Sequence, residues 1–230
     1  MQVIALVQRK GGVGKTTVAI NLAGELARRG KVVTVIDSDP QGSAIAWAGL
    51  RRLPFTVKHE LLDRSSVSIW IKNVLKSHGD LVIIDTPADL GPVFKATADI
   101  ADLIVMPCGP SSLDLNAARQ TIAKLHDQMK SNKGRVPAVA LVATRVDPAT
   151  EEGKQISEEL SELGGSVGPA LSNNVAFVRA FTAGEPVCVS APGSQADREV
   201  VALADFVLGR LEQPQAEMGS IGSVVRASKW

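Results

Sequence analysis

The chain has 230 residues, 45% of them apolar, and a formal net charge of +1. That length and apolar share suffice for one domain with a sizeable core, and the balanced charge excludes a histone-like polycation. With only 3% aromatics and no Tyr, the core must be aliphatic and alanine-rich.

Residues 3–7 form an apolar, β-branched run with the length of a buried strand. Lys10-Gly11-Gly12-Val13-Gly14-Lys15-Thr16-Thr17 follows, and then Val18, Ala19, Leu22, Ala23, Leu26 and Ala27 recur at helical spacing. Strand, glycine-rich turn and helix together are the setting of a phosphate-binding loop. Glycines let backbone N–H groups converge on an anion, and the helix N-terminus adds positive potential. Lys15 is placed to neutralise β- and γ-phosphates, and the Thr16 hydroxyl to ligate Mg2+. A glycine-rich turn with lysines in water is the bland alternative.

Further along, residues 31–37 read as a second strand after a helix stop at Gly30, and residues 43–52 as a helix. Residues 55–58 suggest a short strand. Residues 66–77 suggest an amphipathic helix with Val67, Trp70, Ile71, Val74 and Leu75 inward. Strands are expected at 81–85, 102–107 and 139–143. Helices are expected at 113–129, 151–163, 174–182 and 196–211, the last two around a short apolar piece at 187–189. The alternation predicts a doubly wound α/β fold, a mostly parallel sheet with helices on both faces. Right-handed crossovers put the loops after the strands on one edge, where a nucleotide would bind. Asp37 and Asp39 follow the second strand, and Asp85-Thr86-Pro87 follows the 81–85 strand. Three acids after two strands suit a Mg2+ site, whereas each acid alone reads equally well as a cap or a solvated turn.

The domain is expected to span residues 1–211. Residues 212–230 read as a flexible tail, rich in Pro, Gly and Ser, whose Arg226 and Lys229 join a few apolar residues. Such a segment is too short for a stable membrane anchor. There is no signal peptide and no run of eighteen apolar residues, and a cytoplasmic protein is expected. Cys108 and Cys188 lack metal-like spacing and read as reduced structural residues; His59, His78 and His126 form no recognisable site.

The first glycine of the ordinary pattern G-x-x-x-x-G-K-S/T falls on Arg9, and a second lysine, Lys10, opens the loop. This resembles the deviant Walker motif K-G-G-x-G-K-S/T-T of the ParA/MinD ATPases. Asp37-Ser38-Asp39-Pro40-Gln41-Gly42-Ser43 is similar to that family's switch I, and Asp85-Thr86-Pro87 to its Walker B and switch II. Met106-Pro107 with Pro110-Ser111-Ser112-Leu113-Asp114 resembles its V-P-x-x-P-S-x-x-D element, and Ala143-Thr144-Arg145-Val146-Asp147 the segment that holds adenine. The resemblance covers about residues 1–210, without the extra N-terminal domain of large plasmid forms, and so is nearest the small ParF-like ParA proteins.

The resemblance implies ATP and Mg2+ as ligands. Gly11, Gly12, Val13, Gly14, Lys15, Thr16, Thr17 and Arg145 would hold the nucleotide. Thr16, Asp37 and Asp85 would serve the Mg2+. Asp39 would position the attacking water. Lys10 would reach across an ATP-bound homodimer to the partner's phosphates, acting with Lys15 and Asp39 in catalysis. A ParB-like adaptor would stimulate hydrolysis, and the ATP-bound form would bind double-stranded DNA non-specifically and associate with the nucleoid. Relatives carry cations in a stretch resembling residues 171–189, where this chain offers only Arg179; Arg179, Arg198 and Lys154 are the DNA-contact candidates, with salt-bridged surface charges as the alternative. Competing readings are a MinD-like switch at a membrane or on a protein cargo, a metabolic ATP-dependent ligase, and a cluster-bearing reductase.

Overall fold

The computed structural model describes residues 1–62, 66–131 and 136–213, so the tail from residue 214 lies outside the described residues. Its elements are β1 (Gln2–Leu6), α1 (Lys15–Arg28), β2 (Val33–Asp37), α2 (Ser43–Ala48), β3 (Thr56–His59), α3 (Val67–Leu75), β4 (Leu81–Asp85), α4 (Pro92–Ile100), β5 (Leu103–Cys108) and α5 (Ser112–Ser131). There follow β6 (Ala138–Ala143), α6 (Glu151–Ser161), β7 (Ser166–Val167), α7 (Val175–Ala183), α8 (Val187–Ser190) and α9 (Gln195–Glu212). The strands form one sheet in the order β3-β2-β4-β1-β5-β6-β7. Every pairing is parallel, as the alternation of strands and helices predicts.

Both faces of the sheet are covered, so the central strands are apolar throughout rather than alternating. Ile4, Leu6, Ile83, Val105 and Val142 point into one core with α1, α2, α7, α8 and α9. Ala5, Ile104, Met106 and Leu141 point the other way, under α4, α5 and α6. A third cluster joins Ile36 and Ile84 to Trp70 and Val74 of α3.

The structure departs from expectation in four places. Helix α4 was not anticipated, although Pro92 stands at its first turn, a recognised start signal. Strand β7, at two residues, is too short to leave a pattern. Helix α2 stops at Ala48, beside Gly49, rather than reaching residue 52. In α3 only Trp70 and Val74 are buried, while Val67 and Leu75 face solvent. The apolar piece at 187–189 is a single helical turn pressed on α1: a Cβ on Gly24 would stand 2.4 Å from the Pro186 Cβ.

Candidate active site

Parallel pairing gathers the C-terminal strand ends on one edge. In register, Asp37 of β2 lies beside Asp85 of β4, and Asp85 beside Leu6 of β1. The chain leaves β1 through Gln8 and Arg9 and turns at Gly12 (φ 73°) and Gly14 (φ 94°), left-handed conformations that favour glycine. Gly14 is the N-cap of α1 and supplies no side-chain acceptor, so the first N–H groups of a 14-residue helix face the loop. Thr144, just beyond β6, pins this turn by donating to the Val13 carbonyl at 2.8 Å.

Lys15 is buried, and its Nζ donates to the Gln8 carbonyl at 3.1 Å and lies 3.5 Å from that of Lys10. Burial lowers its pKa, against the opposing pull of Asp85, Asp39 and Asp89. A site that holds a desolvated cation among three acids suits a polyanion chelated with a divalent metal. Gln8 is fully buried; its Oε1 accepts from Thr121 Oγ1 at 2.9 Å, and Thr121 also approaches the Arg9 N–H at 3.4 Å. Nothing in the sequence marks Gln8 and Thr121 as partners, because 113 residues separate them.

Asp85 is the most perturbed acid. Burial pushes its pKa up to about 7, against the hydrogen bond from Thr16 and with repulsion from Asp37. Thr16 Oγ1 donates to Oδ2 at 2.6 Å, while the buried Oδ1 has no hydrogen-bond partner. One hydroxyl and one orphaned carboxylate oxygen side by side fit a hard divalent cation, whose shell phosphate oxygens and water would complete. Asp37, next to it, also shapes the 39–45 turn: its oxygens accept from the Asp39 and Ile45 N–H groups, at 3.2 and 3.0 Å. Asp39, half-buried, caps that turn by accepting from Gln41 N at 2.9 Å. Among the described residues no group of three or more His, Cys, Asp or Glu gathers as a metal cluster.

Lys10 reaches sideways. Its Nζ pairs with Asp114 Oδ1 at 2.7 Å, and Asp114 Oδ2 takes Ser111 Oγ at 2.5 Å and Arg145 Nη2 at 3.4 Å. Asp114 is buried, yet hydrogen bonds from Lys10 and Ser111 and the charges of Lys10 and Arg145 outweigh burial and hold its pKa below the ordinary carboxylate value. Gly11 and Gly12, in the middle of the loop, are exposed, and Thr17 is half-buried beyond it.

The three cations considered for DNA do not form one patch. Lys154, on α6, belongs to the opposite face of the sheet from α7 and α9 and pairs with Glu151 at 2.6 Å. Arg198 donates to the Gly193 carbonyl. Arg179 on α7 is exposed, beside exposed Val175 and Val178. Helix α7 also meets α2, where Phe181 packs edge-on against Trp47 with ring centroids 5.2 Å apart.

A glycine turn between β1 and α1, a buried lysine in it and a threonine–aspartate pair beside it define a P-loop nucleotide-binding protein. The chain belongs to the family described as the CobQ/CobB/MinD/ParA nucleotide binding domain, which matches residues 4–187. It is 28% identical to the chromosome-partitioning ATPase Soj of Thermus thermophilus over 91% of this chain and 96% of that protein. It is 35% identical to the maintenance of carboxysome distribution protein A of Gloeobacter kilaueensis, over 80% of this chain and 79% of that protein. Its fold superposes with a TM-score of 0.75 on the septum site-determining protein MinD of Pyrococcus horikoshii complexed with Mg-ADP, at 18% identity, covering 90% of this chain and 95% of that one. The protein is an ATP-hydrolysing enzyme of the ParA/Soj/MinD positioning kind. Among the described residues no helix is long and apolar enough to cross a membrane.

Proposed function

We propose that the protein is a partitioning ATPase: it dimerises on Mg-ATP, binds duplex DNA without sequence preference, and is reset when a ParB-like adaptor stimulates hydrolysis. The observation that carries the ATPase chemistry is the Thr16–Asp85 pair at 2.6 Å beside Lys15. In this reading the α1 N–H groups and Lys15 bind the β- and γ-phosphates, and Thr17 the α-phosphate. Thr16 and Asp85 hold the Mg2+, with Asp37 fixing the turn beside it; when bound, the ion neutralises charge on the phosphates. Asp39 orients the attacking water, and Lys10 adds positive charge from the partner subunit. Phosphoryl transfer asks of the protein mainly position and charge stabilisation.

The geometry also supports a route from nucleotide to surface. The turn carrying Asp39 runs straight into α2, whose Trp47 donates to the Glu185 carbonyl at 3.1 Å and packs against α7. A change at Asp39 therefore pulls on the helix that carries Arg179. The test is fluorescence anisotropy on two unrelated duplexes, with ATP or ADP, at two salt concentrations. ATP-loaded protein should bind both duplexes weakly and lose affinity steeply with salt. Arg179→Ala should weaken both equally. No binding at low salt with ATP would refute the DNA part.

Exposed Val175 and Val178 beside Arg179 favour a second reading, in which α7 serves a protein cargo rather than DNA. An equal loss of affinity for both duplexes in Arg179→Ala would reject it.

A further inference from the structure

We propose that Arg145 is a positioning residue for Lys10: it keeps the Asp114 carboxylate partnered and so allows the lysine to leave it. The proposal rests on the reading that Lys10 acts across a dimer.

In the monomer Lys10 is tied to its own chain. Asp114 is only 2% exposed, and Lys10 Nζ stands 2.7 Å from its Oδ1. Stripping the cation from so buried a carboxylate is strongly unfavourable, because the charge left behind has no water to solvate it. The side chain of Lys10 is itself 34% exposed, so it is free to swing outward once the pairing is relieved. The equilibrium between the intramolecular pair and an intermolecular contact is therefore set by what else holds Asp114.

Two groups do so, both on Oδ2: the Ser111 hydroxyl at 2.5 Å and Arg145 Nη2 at 3.4 Å. Only Arg145 carries charge. Its backbone has φ 55°, an uncommon conformation for a non-glycine residue. Its guanidinium lies over Gly109, where a Cβ would stand 2.5 Å from Nη2 and 2.6 Å from Asp114 Oδ2. The absence of a side chain at residue 109 is what admits the pair. Arg145 is half exposed and adds little to the core, so its place beside a carboxylate that already has a lysine is explained by the state in which the lysine is elsewhere.

The experiment measures dimerisation by sedimentation equilibrium of the full chain with Mg2+ and a non-hydrolysable ATP analogue, and separately the monomer's affinity for ATP. Arg145→Gln should weaken the dimer about tenfold beyond whatever it costs the monomer in ATP affinity. Arg145→Lys, which keeps the cation, should restore most of it. In an Asp114→Asn background Arg145→Gln should have no such effect, since no buried charge remains to be held. Gly109→Ala should reproduce the Arg145→Gln defect with the arginine present. Dimers of Arg145→Gln as stable as wild type would overturn the proposal, as would an equal defect in the Asp114→Asn background. A dimer defect no larger than the loss of monomer ATP affinity would overturn it too and make Arg145 a direct nucleotide ligand alone. Lys10→Ala separates this from the underlying reading: if Lys10→Ala weakens the dimer and Arg145→Gln does not, only the present proposal fails. If Lys10→Ala leaves the dimer intact, the action of Lys10 in trans fails, and the role of Arg145 with it.

Discussion

Asp85→Asn should make the nucleotide-free protein more stable, increasingly so as pH rises. Asp85 is fully buried, and its folded-state pKa is raised from 3.8 to about 7, chiefly by desolvation. A carboxyl with a raised pKa holds its proton more tightly in the folded state. Below pH 3.8 both states are protonated and the shift has no effect. Between there and about 7 only the unfolded chain ionises, and stability falls as pH rises. Above 7 the full difference applies, on the order of 4 kcal/mol at 1.36 kcal/mol per pKa unit, an upper bound because the site relaxes. That is a large part of a typical 5–15 kcal/mol stability. Asparagine keeps the volume and an acceptor for Thr16 but carries no charge. The stability gap between variant and wild type should therefore widen by about 2–3 kcal/mol from pH 5 to pH 8, or roughly 4–12 °C in Tm for a domain of this size. Thermal and urea unfolding in EDTA at the two pH values measure it. Mg-ATP should stabilise wild type and leave Asp85→Asn nearly unchanged. A gap that is constant with pH would refute the argument that burial of this carboxylate is unfavourable and is kept for a metal.

Lys15→Ala or Lys15→Gln should lower ATP affinity about 10²–10⁴-fold, the worth of two charge-assisted hydrogen bonds to phosphate, as read by labelled-nucleotide binding; near wild-type affinity would reject the P-loop assignment. Asp39→Ala should cut steady-state turnover by about 10²-fold or more while ATP still binds, and normal turnover would move the water-positioning role elsewhere. Thr144→Val should raise the KM for ATP more than it lowers kcat, because the hydroxyl holds the Val13 carbonyl and not the reacting atoms. Gly24→Ala should destabilise by about 1–3 kcal/mol despite the better helix propensity of alanine, since the added methyl meets the rigid Pro186 ring; an unchanged Tm would show that α8 can shift.

The parts of the site that were legible in the sequence are those the chain writes contiguously. The loop from Lys10 to Thr17 and the aspartates after two apolar runs announced themselves because strand, turn and ligand follow one another without a gap. Register was not legible. That Asp37 stands beside Asp85, and that Asp37 turns its oxygens toward the Asp39 and Ile45 amides, follows from pairing β2 with β4. Gln8, which belongs to no motif, is fully buried because α5 carries a hydroxyl to meet it. Helix α4 escaped because, although Phe94, Thr97 and Ala98 stand at helical spacing, its inward residues other than Phe94 are alanines and a threonine, which carry little hydrophobic signal. That Lys154 stands on the opposite face of the sheet from Arg179 and Arg198 was likewise a matter of topology that no local pattern carries.

Helix α5 gives the loop its rigidity, and this bears on where nucleotide-driven change can occur. Asp114 in its first turn holds Lys10, and Thr121, seven residues on and so on the same side of the helix, holds Gln8 and Arg9. Thr144 fastens Val13, and Asp85 fastens Thr16. The loop is thus anchored before and after its two exposed glycines, and binding a phosphate need not order it, so little affinity is lost to conformational entropy. A loop so fixed is also a poor messenger. The segment after β2 is different: Asp39, Pro40 and Gln41 are held by short local bonds, and their continuation, α2, rests on α7 through Trp47. On the proposed function, a difference between ATP and ADP would be read most readily there, on the side of the molecule where Arg179, Val175 and Val178 meet solvent.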